Sequence, residues 1–152
     1  MLKVKVGYPT REEERLIMDR MSSGEAPVAR RVIGLDAIAK ARQVVDLVYV
    51  DEKVKDYIVQ VVYATREPEK AGLTGLKEYV QYGASPRASI ALNQAARAHA
   101  FLRHRGFVTP EDVKAVGMDV LRHRLTLSYE AEAAEVTTEQ IVQKVFERVE
   151  VP

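Results

Sequence analysis

The segment Gly83-Ala84-Ser85-Pro86-Arg87 places a cation where the pattern predicts the start of a helix. Ser85 is a typical N-cap residue and Pro86 suits the first helical position, so Arg87 falls in the first turn. The free N–H groups of that turn already carry positive potential, and they bind phosphates readily. Arginine adds planar, bidentate donors. Two interpretations stay open: Arg87 binds an anion, or it turns into water or pairs with a nearby carboxylate.

A second candidate is the run Leu47-Val48-Tyr49-Val50-Asp51-Glu52, which imitates the apolar strand ending in Asp-Glu that holds Mg²⁺ in P-loop ATPases. That chemistry needs the phosphate-binding pattern G-x-x-x-x-G-K-[ST], and the sequence has none. Gly72-Leu73-Thr74-Gly75-Leu76-Lys77 has the wrong spacing and no hydroxyl after the lysine. The apolar spacing before Asp51 is also helical. Asp51 is therefore predicted to cap a helix.

The three histidines do not predict a metal site. His99 and His104 are five residues apart, which puts them on different faces of one helix, and His123 is remote in sequence. The chain has no cysteine, which excludes a thiolate site, a disulfide framework and a cysteine nucleophile. We therefore expect no metal site and no complete catalytic constellation within this chain.

Local clusters of basic residues leave a second class of function open, a stand-alone helical DNA-binding module or a protein–protein adaptor. The clusters have a simpler explanation, because basic residues favour helix C-termini and Gly106 is expected to end a helix just after the first of them. The balance of 23 Lys+Arg against 22 Asp+Glu also speaks against nucleic acid as a partner. The residues concerned are Arg97, Arg103, Arg105, Arg122 and Arg124.

Length and composition indicate one medium-sized domain with a real core, since 47% of the 152 residues are apolar. No apolar run approaches the ~20 residues that span a bilayer, and no signal-peptide pattern opens the chain. The lack of cysteine fits a reducing compartment. We expect a cytoplasmic protein with no membrane partner.

The elements that must position these residues are predicted to be mainly helical, about six helices preceded by one short strand. Residues 2–6 alternate apolar and polar side chains, which predicts the strand, and Tyr8-Pro9 ends it. Thr10 and Glu13 form a capping box for a helix that ends near residues 22–24. No second strand is evident. The first strand is thus either a frayed or edge-docked terminus or part of a sheet outside these residues.

Helical spacing continues through most of the remaining chain. Helices are predicted behind Asp36, behind Asp51, over residues 86–104 as the longest, from Thr109 onward, and after a cap formed by Thr137 and Gln140. Residues 67–75, with one proline and two glycines, are predicted to form a loop. The alanine-rich helix over residues 86–104 would present Arg87 at its outward end.

The string Tyr82-Gly83-Ala84-Ser85-Pro86-Arg87-Ala88-Ser89 resembles the signature of the C-terminal lid of MoxR-family AAA+ ATPases. The likeness extends to residues 2–9, which resemble the last strand of that family's ATPase sheet. It covers essentially the whole chain. Further matching stretches lie at residues 49–51, 57–59, 108–115 and 120–125.

The resemblance implies a role for the turn. Arg87 matches the sensor-2 arginine, which reaches from the lid to the γ-phosphate of ATP bound on the large domain. Ser85 and Pro86 would preorganise this turn. Gly83 and Ala84 would keep it small enough for close approach to the nucleotide.

The resemblance also implies a division of the chain and a larger assembly. Residues 1–9 would be the last strand of an AAA+ core that lies upstream, and residues 10–152 the helical lid. The nucleotide-binding loop, the Mg²⁺ ligands and the trans-acting arginine would then lie upstream, so these residues alone would not hydrolyse ATP. The intact protein would use ATP and Mg²⁺ and form a ring, expected to be a hexamer. It would remodel or assemble client proteins together with a von Willebrand factor A-domain protein.

Overall fold

The computed structural model describes residues 1–22, 24 and 28–152, and in these ranges the chain is mainly helical, as predicted. The helices are α1 (Arg11–Ser22), α2 (Leu35–Asp46), α3 (Glu52–Ala64), α4 (Pro86–Leu102), α5 (Pro110–Leu121), α6 (Tyr129–Ala133) and α7 (Thr138–Arg148). A short 3₁₀ helix (Lys77–Tyr79) leads into strand β1 (Val80–Tyr82), which pairs antiparallel with β2 (Thr126–Leu127). None of the helices in the described ranges is long and apolar enough to cross a membrane.

Helix α4 is the longest of these helices and lies at the centre of the bundle, in contact with α2, α3 and α5. Its buried face is built mainly from alanine, which lets neighbouring helices approach closely; the buried residues are Ala88, Ala91, Leu92, Ala95, Ala96 and Ala100. Helix α7 closes the core against α3 and α5 through Ile141, Val142 and Val145. The N-terminus of α4 is therefore carried by a tightly packed support.

The strand predicted over residues 2–6 is absent from the structure, and that prediction is wrong for this chain. Residues 1–10 are exposed and form no strand ladder. Lys3 N donates to Asp119 O at 2.8 Å, and Lys5 lies 3.8 Å from Glu139. A strand needs a neighbouring strand to pair its N–H and C=O groups, and no described strand pairs with this segment. Its assignment to the sheet of an upstream core stays a prediction.

Two predicted helix starts, both capping boxes, are confirmed. In the Thr10–Glu13 capping box, Thr10 N donates to Glu13 Oε2 at 2.8 Å. Thr137 and Gln140 form the same arrangement at the start of α7. The first helix ends at Ser22, and Ser23, at which its end was also predicted, lies outside the described residues.

Helix α6 and the pair β1–β2 were not predicted. Five residues are too few to show a helical period, and strands of two or three residues show no alternation. Both arise from tertiary contacts. In one of these contacts, the Ser128 hydroxyl donates to Glu78 O in the 3₁₀ helix at 2.5 Å.

The last residue of α4 is Leu102, and the left-handed residue of the motif that closes the helix is His104, not Gly106. His104 has a left-handed backbone (φ 57°), Arg105 N donates to Ala100 O at 3.0 Å, and His104 N donates to Phe101 O at 2.9 Å. These two bonds define a Schellman motif, in which glycine is the favoured left-handed residue. The expectation that Gly106 ends the helix is therefore wrong, since the motif closes two residues earlier.

We predict that His104→Gly raises the free energy of unfolding by about 1 kcal/mol, because glycine adopts φ > 0 without the steric cost of a Cβ. Chemical denaturation of the two proteins measures the difference. His104→Ala keeps the Cβ and is the matched control, for which no gain is expected. An equal gain from both substitutions would mean that the imidazole, rather than the backbone conformation, is the source of the cost.

Candidate functional site

The turn that leads into α4 has the geometry predicted from its sequence. Ser85 is the N-cap residue, with extended backbone (φ −74°, ψ 168°), and Pro86 occupies the first helical position. The Ser85 hydroxyl makes no capping bond, although Ser85 O accepts from Ala88 N at 2.8 Å. The hydroxyl therefore caps no N–H group of α4, and the backbone and Pro86 fix the start of the helix.

Arg87 is exposed in the first turn of α4, as predicted. Of the two interpretations left open by the sequence, pairing with a nearby carboxylate is not seen. The first turn carries no acidic residue, and no hydrogen bond or ion pair joins Arg87 to another residue in the described part of the chain. Its charge adds to that of the helix N-terminus, so this end of α4 has the donors that an anion requires.

The two small residues before Ser85 pack against the end of α3. A Cβ on Gly83 would lie 2.3 Å from Thr65 O and 2.8 Å from Arg66 Cα, so only glycine fits this backbone contact. Ala84 is fully buried, and its N–H donates to Thr65 Oγ1 at 2.9 Å. The structure thus provides a packing reason for Gly83 and Ala84, in addition to the nucleotide approach that the resemblance implies.

Sequence reasoning missed Thr65. A threonine at the end of a helical pattern gives no signal of a contact with residues 83–84 far along the chain. Its side chain is buried, and its hydroxyl also donates to Val62 O at 2.6 Å. Only the fold shows that it joins α3 to the turn before Arg87.

A buried carboxylate, Asp112, fixes the other end of α4 against α5. It accepts from Arg105 Nη1 (2.8 Å) and Nη2 (2.5 Å) and from Thr109 N (2.8 Å), and its Oδ1 lies 2.6 Å from His99 Nδ1. Because a carboxylate only accepts, His99 Nδ1 must carry the proton of that bond. Burial raises the pKa of Asp112, but hydrogen bonds from Arg105, Thr109 N and His99, together with the Arg105 charge, outweigh it and hold the pKa well below its usual range.

Four of the five arginines in the basic clusters bind acceptors inside the chain, which weakens the DNA-binding alternative. Arg105 binds Asp112, and Arg122 lies 3.1 Å from Asp119. Arg97 donates to Asp46 O and Arg124 to Val120 O. Guanidinium groups held in this way are less available to phosphates than a free basic face would be.

Asp51 caps α3, as predicted, because its Oδ1 accepts from Lys53 N at 2.9 Å. The described residues bring together no group of three His, Asp or Glu side chains that could hold a metal ion. The described surface at the α4 N-terminus therefore offers the Arg87 cation beside the positive end of a helix.

Comparison with known proteins finds a matching family and relatives for this chain. The family model for the AAA lid domain matches residues 73–145, which include the turn, α4 and α5. Chaperone MoxR1 of Mycobacterium tuberculosis is 41% identical over 152 residues, covering 100% of this chain and 40% of that protein. Protein MoxR of Methylorubrum extorquens is 35% identical over 105 residues, covering 65% of this chain and 30% of that protein. The chain belongs to the MoxR family.

A solved structure has the same fold as this chain. A protein from Cytophaga hutchinsonii, described provisionally as an ATPase, superposes with a TM-score of 0.93 at 36% identity. The match covers 100% of this chain and 46% of that one. The chain thus spans less than half the length of these relatives.

Proposed function

We propose that this chain acts as the lid of a MoxR-type AAA+ ATPase and contributes Arg87 as the sensor-2 residue that contacts the γ-phosphate of ATP. The observation that carries the proposal is an exposed arginine in the first turn of the longest described helix, joined to no other described residue and with no acidic residue in that turn. Guanidinium and helix N–H donors fit a phosphate group. They do not fit Mg²⁺, which prefers oxygen ligands.

In this mechanism Arg87 stabilises negative charge that develops on the transferring phosphoryl group. After hydrolysis and loss of the γ-phosphate, the contact is lost and the lid is free to change its position. Because α4 is packed against α2, α3 and α5, a force on Arg87 would be transmitted to the whole bundle. Nucleotide state would thereby be coupled to lid position.

The rest of the machine would come from residues outside this chain. ATP and Mg²⁺ would be held by an AAA+ core domain, and the intact protein would form a ring, expected to be a hexamer. The relative named as a chaperone supports a role in remodelling or assembling client proteins. A von Willebrand factor A-domain partner and a cytoplasmic location complete the proposal.

We predict that Arg87→Ala, made in the protein that carries both this lid and its core domain, lowers the ATP turnover number at least tenfold. This corresponds to a loss of about 1.4 kcal/mol of transition-state stabilisation. Folding is expected to be unchanged, because Arg87 is exposed. Steady-state ATP hydrolysis, with the oligomeric state of each protein matched by size-exclusion chromatography, measures the effect.

The matched control is Arg103→Ala, which removes an exposed arginine from the opposite end of the same helix. It is expected to hydrolyse ATP at the parental rate. Equal turnover by parent and Arg87→Ala would overturn the sensor role. An equal loss in both variants would point to a general effect of positive charge on the lid surface.

A further inference from the structure

Thr65 is one of two fully buried polar or charged residues in the described ranges, and the other is Asp112. Asp112 is explained by its bonds to Arg105, Thr109 and His99. Thr65 follows the last residue of α3, with 1% of its surface exposed. Its hydroxyl is both a hydrogen-bond donor and an acceptor. It donates to Val62 O at 2.6 Å and accepts from Ala84 N at 2.9 Å.

The second of these bonds connects positions nineteen residues apart and ends three residues before Arg87. Ala84 is completely buried, so its N–H has no access to water in place of the Thr65 hydroxyl. A buried N–H without a partner is costly, and the chain would move to avoid it. The hydroxyl therefore fixes the position of the backbone immediately before the N-cap of α4.

A backbone contact beside this bond limits the turn further. Gly83 lies so close to Thr65 that a Cβ would come within 2.6 Å of the Thr65 carbonyl carbon. The turn is thus held against α3 by one hydrogen bond and by one close backbone contact, with no long side chain between them. A small displacement of Ala84 would therefore also displace the first turn of α4.

We infer that Thr65 is a positioning residue for Arg87, which fixes the α4 N-terminus to the end of α3 so that the guanidinium meets the phosphate in the right place. The inference rests on the proposed function of Arg87. Misplacement of a reacting or stabilising group by about 1 Å costs up to a hundredfold in rate. Thr65 itself is buried and touches no nucleotide.

The test uses Thr65→Val and Thr65→Ser in the protein that carries the lid and its core domain. Valine keeps the shape of the side chain and removes the hydroxyl, whereas serine keeps the hydroxyl. We expect Thr65→Val to lower the turnover number at least tenfold and Thr65→Ser to restore it to within twofold of the parent. Ile141→Val, a core substitution in α7, is the control for a general loss of packing and should leave the turnover number unchanged.

A double variant separates the positioning role from a structural one. If Thr65 acts through Arg87, Thr65→Val will not slow the Arg87→Ala protein any further. Parental turnover in Thr65→Val, or the same fold loss in both backgrounds, would overturn the inference. If Arg87→Ala alone hydrolyses ATP at the parental rate, the proposed function fails as well, so the two failures are distinguishable.

Hydrogen exchange of the segment 83–87 keeps the inference testable if Thr65→Val does not fold. Thr65→Ala removes the hydroxyl without adding bulk, and it should raise exchange of the Ala84 amide at least tenfold relative to Thr65→Ser. An Ala84 amide that exchanges freely in the parent protein would contradict the bond on which the inference depends.

Discussion

Asp112→Ala is expected to lower the free energy of unfolding by about 3 kcal/mol, at the lower end of the range for breaking a buried ion pair. The carboxylate is 1% exposed and accepts hydrogen bonds from Arg105, Thr109 N and His99 Nδ1. Its removal leaves the Thr109 N–H without its capping acceptor. The cost stays at the lower end because the Arg105 side chain is 30% exposed and can turn toward water.

Urea denaturation of parent and variant at pH 7 measures this loss. Glu111→Gln is the matched control, since Glu111 is an exposed acidic residue in the same turn of α5. It is expected to change stability by less than about 1 kcal/mol, as surface charges do. A loss of similar size in both variants would show that charge at the helix N-terminus, and not the buried network, is responsible.

The contribution of Asp112 should depend on pH in a defined direction. The folded pKa lies below the unfolded value, so the ionised carboxylate stabilises the protein fully above the unfolded pKa of about 3.9. That stability is lost as the pH falls through the lower, folded pKa. The difference in unfolding free energy between parent and Asp112→Asn should therefore be constant from pH 7 to pH 5 and shrink below about pH 4. A constant difference down to pH 2 would contradict the lowered pKa.

The Asp112 network shows where prediction from the sequence stops. The string Thr109-Pro110-Glu111-Asp112 predicts a helix start, and the structure confirms a capping box there. The same carboxylate also binds His99 on α4 and Arg105 in the connection between the helices. The local sequence pattern predicts the secondary-structure role of Asp112, but it does not predict which side chains from other parts of the chain bind its carboxylate. The sequence around His99 and around Arg105 therefore gives no sign that the two side chains bind one carboxylate.

The candidate site also has one part that local sequence rules predict and one part that they do not. Ser85, Pro86 and Arg87 follow one another in sequence, so their geometry at a helix N-terminus could be predicted from local rules. The support beneath them could not, because Thr65 is far away in the chain and is recognised only when α3 and the turn meet. The N-terminal strand failed for a related reason: alternation indicates a strand, but its formation depends on a partner that the described residues do not supply.

Gly83→Ala is expected to destabilise the protein by about 3 kcal/mol, the upper end of the usual cost of overpacking. The atoms that a new methyl group would meet are Thr65 O at 2.3 Å and Arg66 Cα at 2.8 Å. Both belong to the backbone at the end of α3, so no side-chain rotation can make room. The turn must move away from α3, and this would also break the bond between Ala84 N and Thr65 Oγ1.

Gly106→Ala is the matched control, because a Cβ at Gly106 would have no neighbour within 4 Å. It should leave stability unchanged or raise it slightly through the reduced freedom of the unfolded chain. Denaturation of the two variants beside the parent measures the difference. If Gly83→Ala were as stable as Gly106→Ala, the turn would have to stand away from α3, and the support for Arg87 would be lost with that contact. A large loss of stability in Gly83→Ala alone would instead show that the turn before Arg87 packs closely against the end of α3.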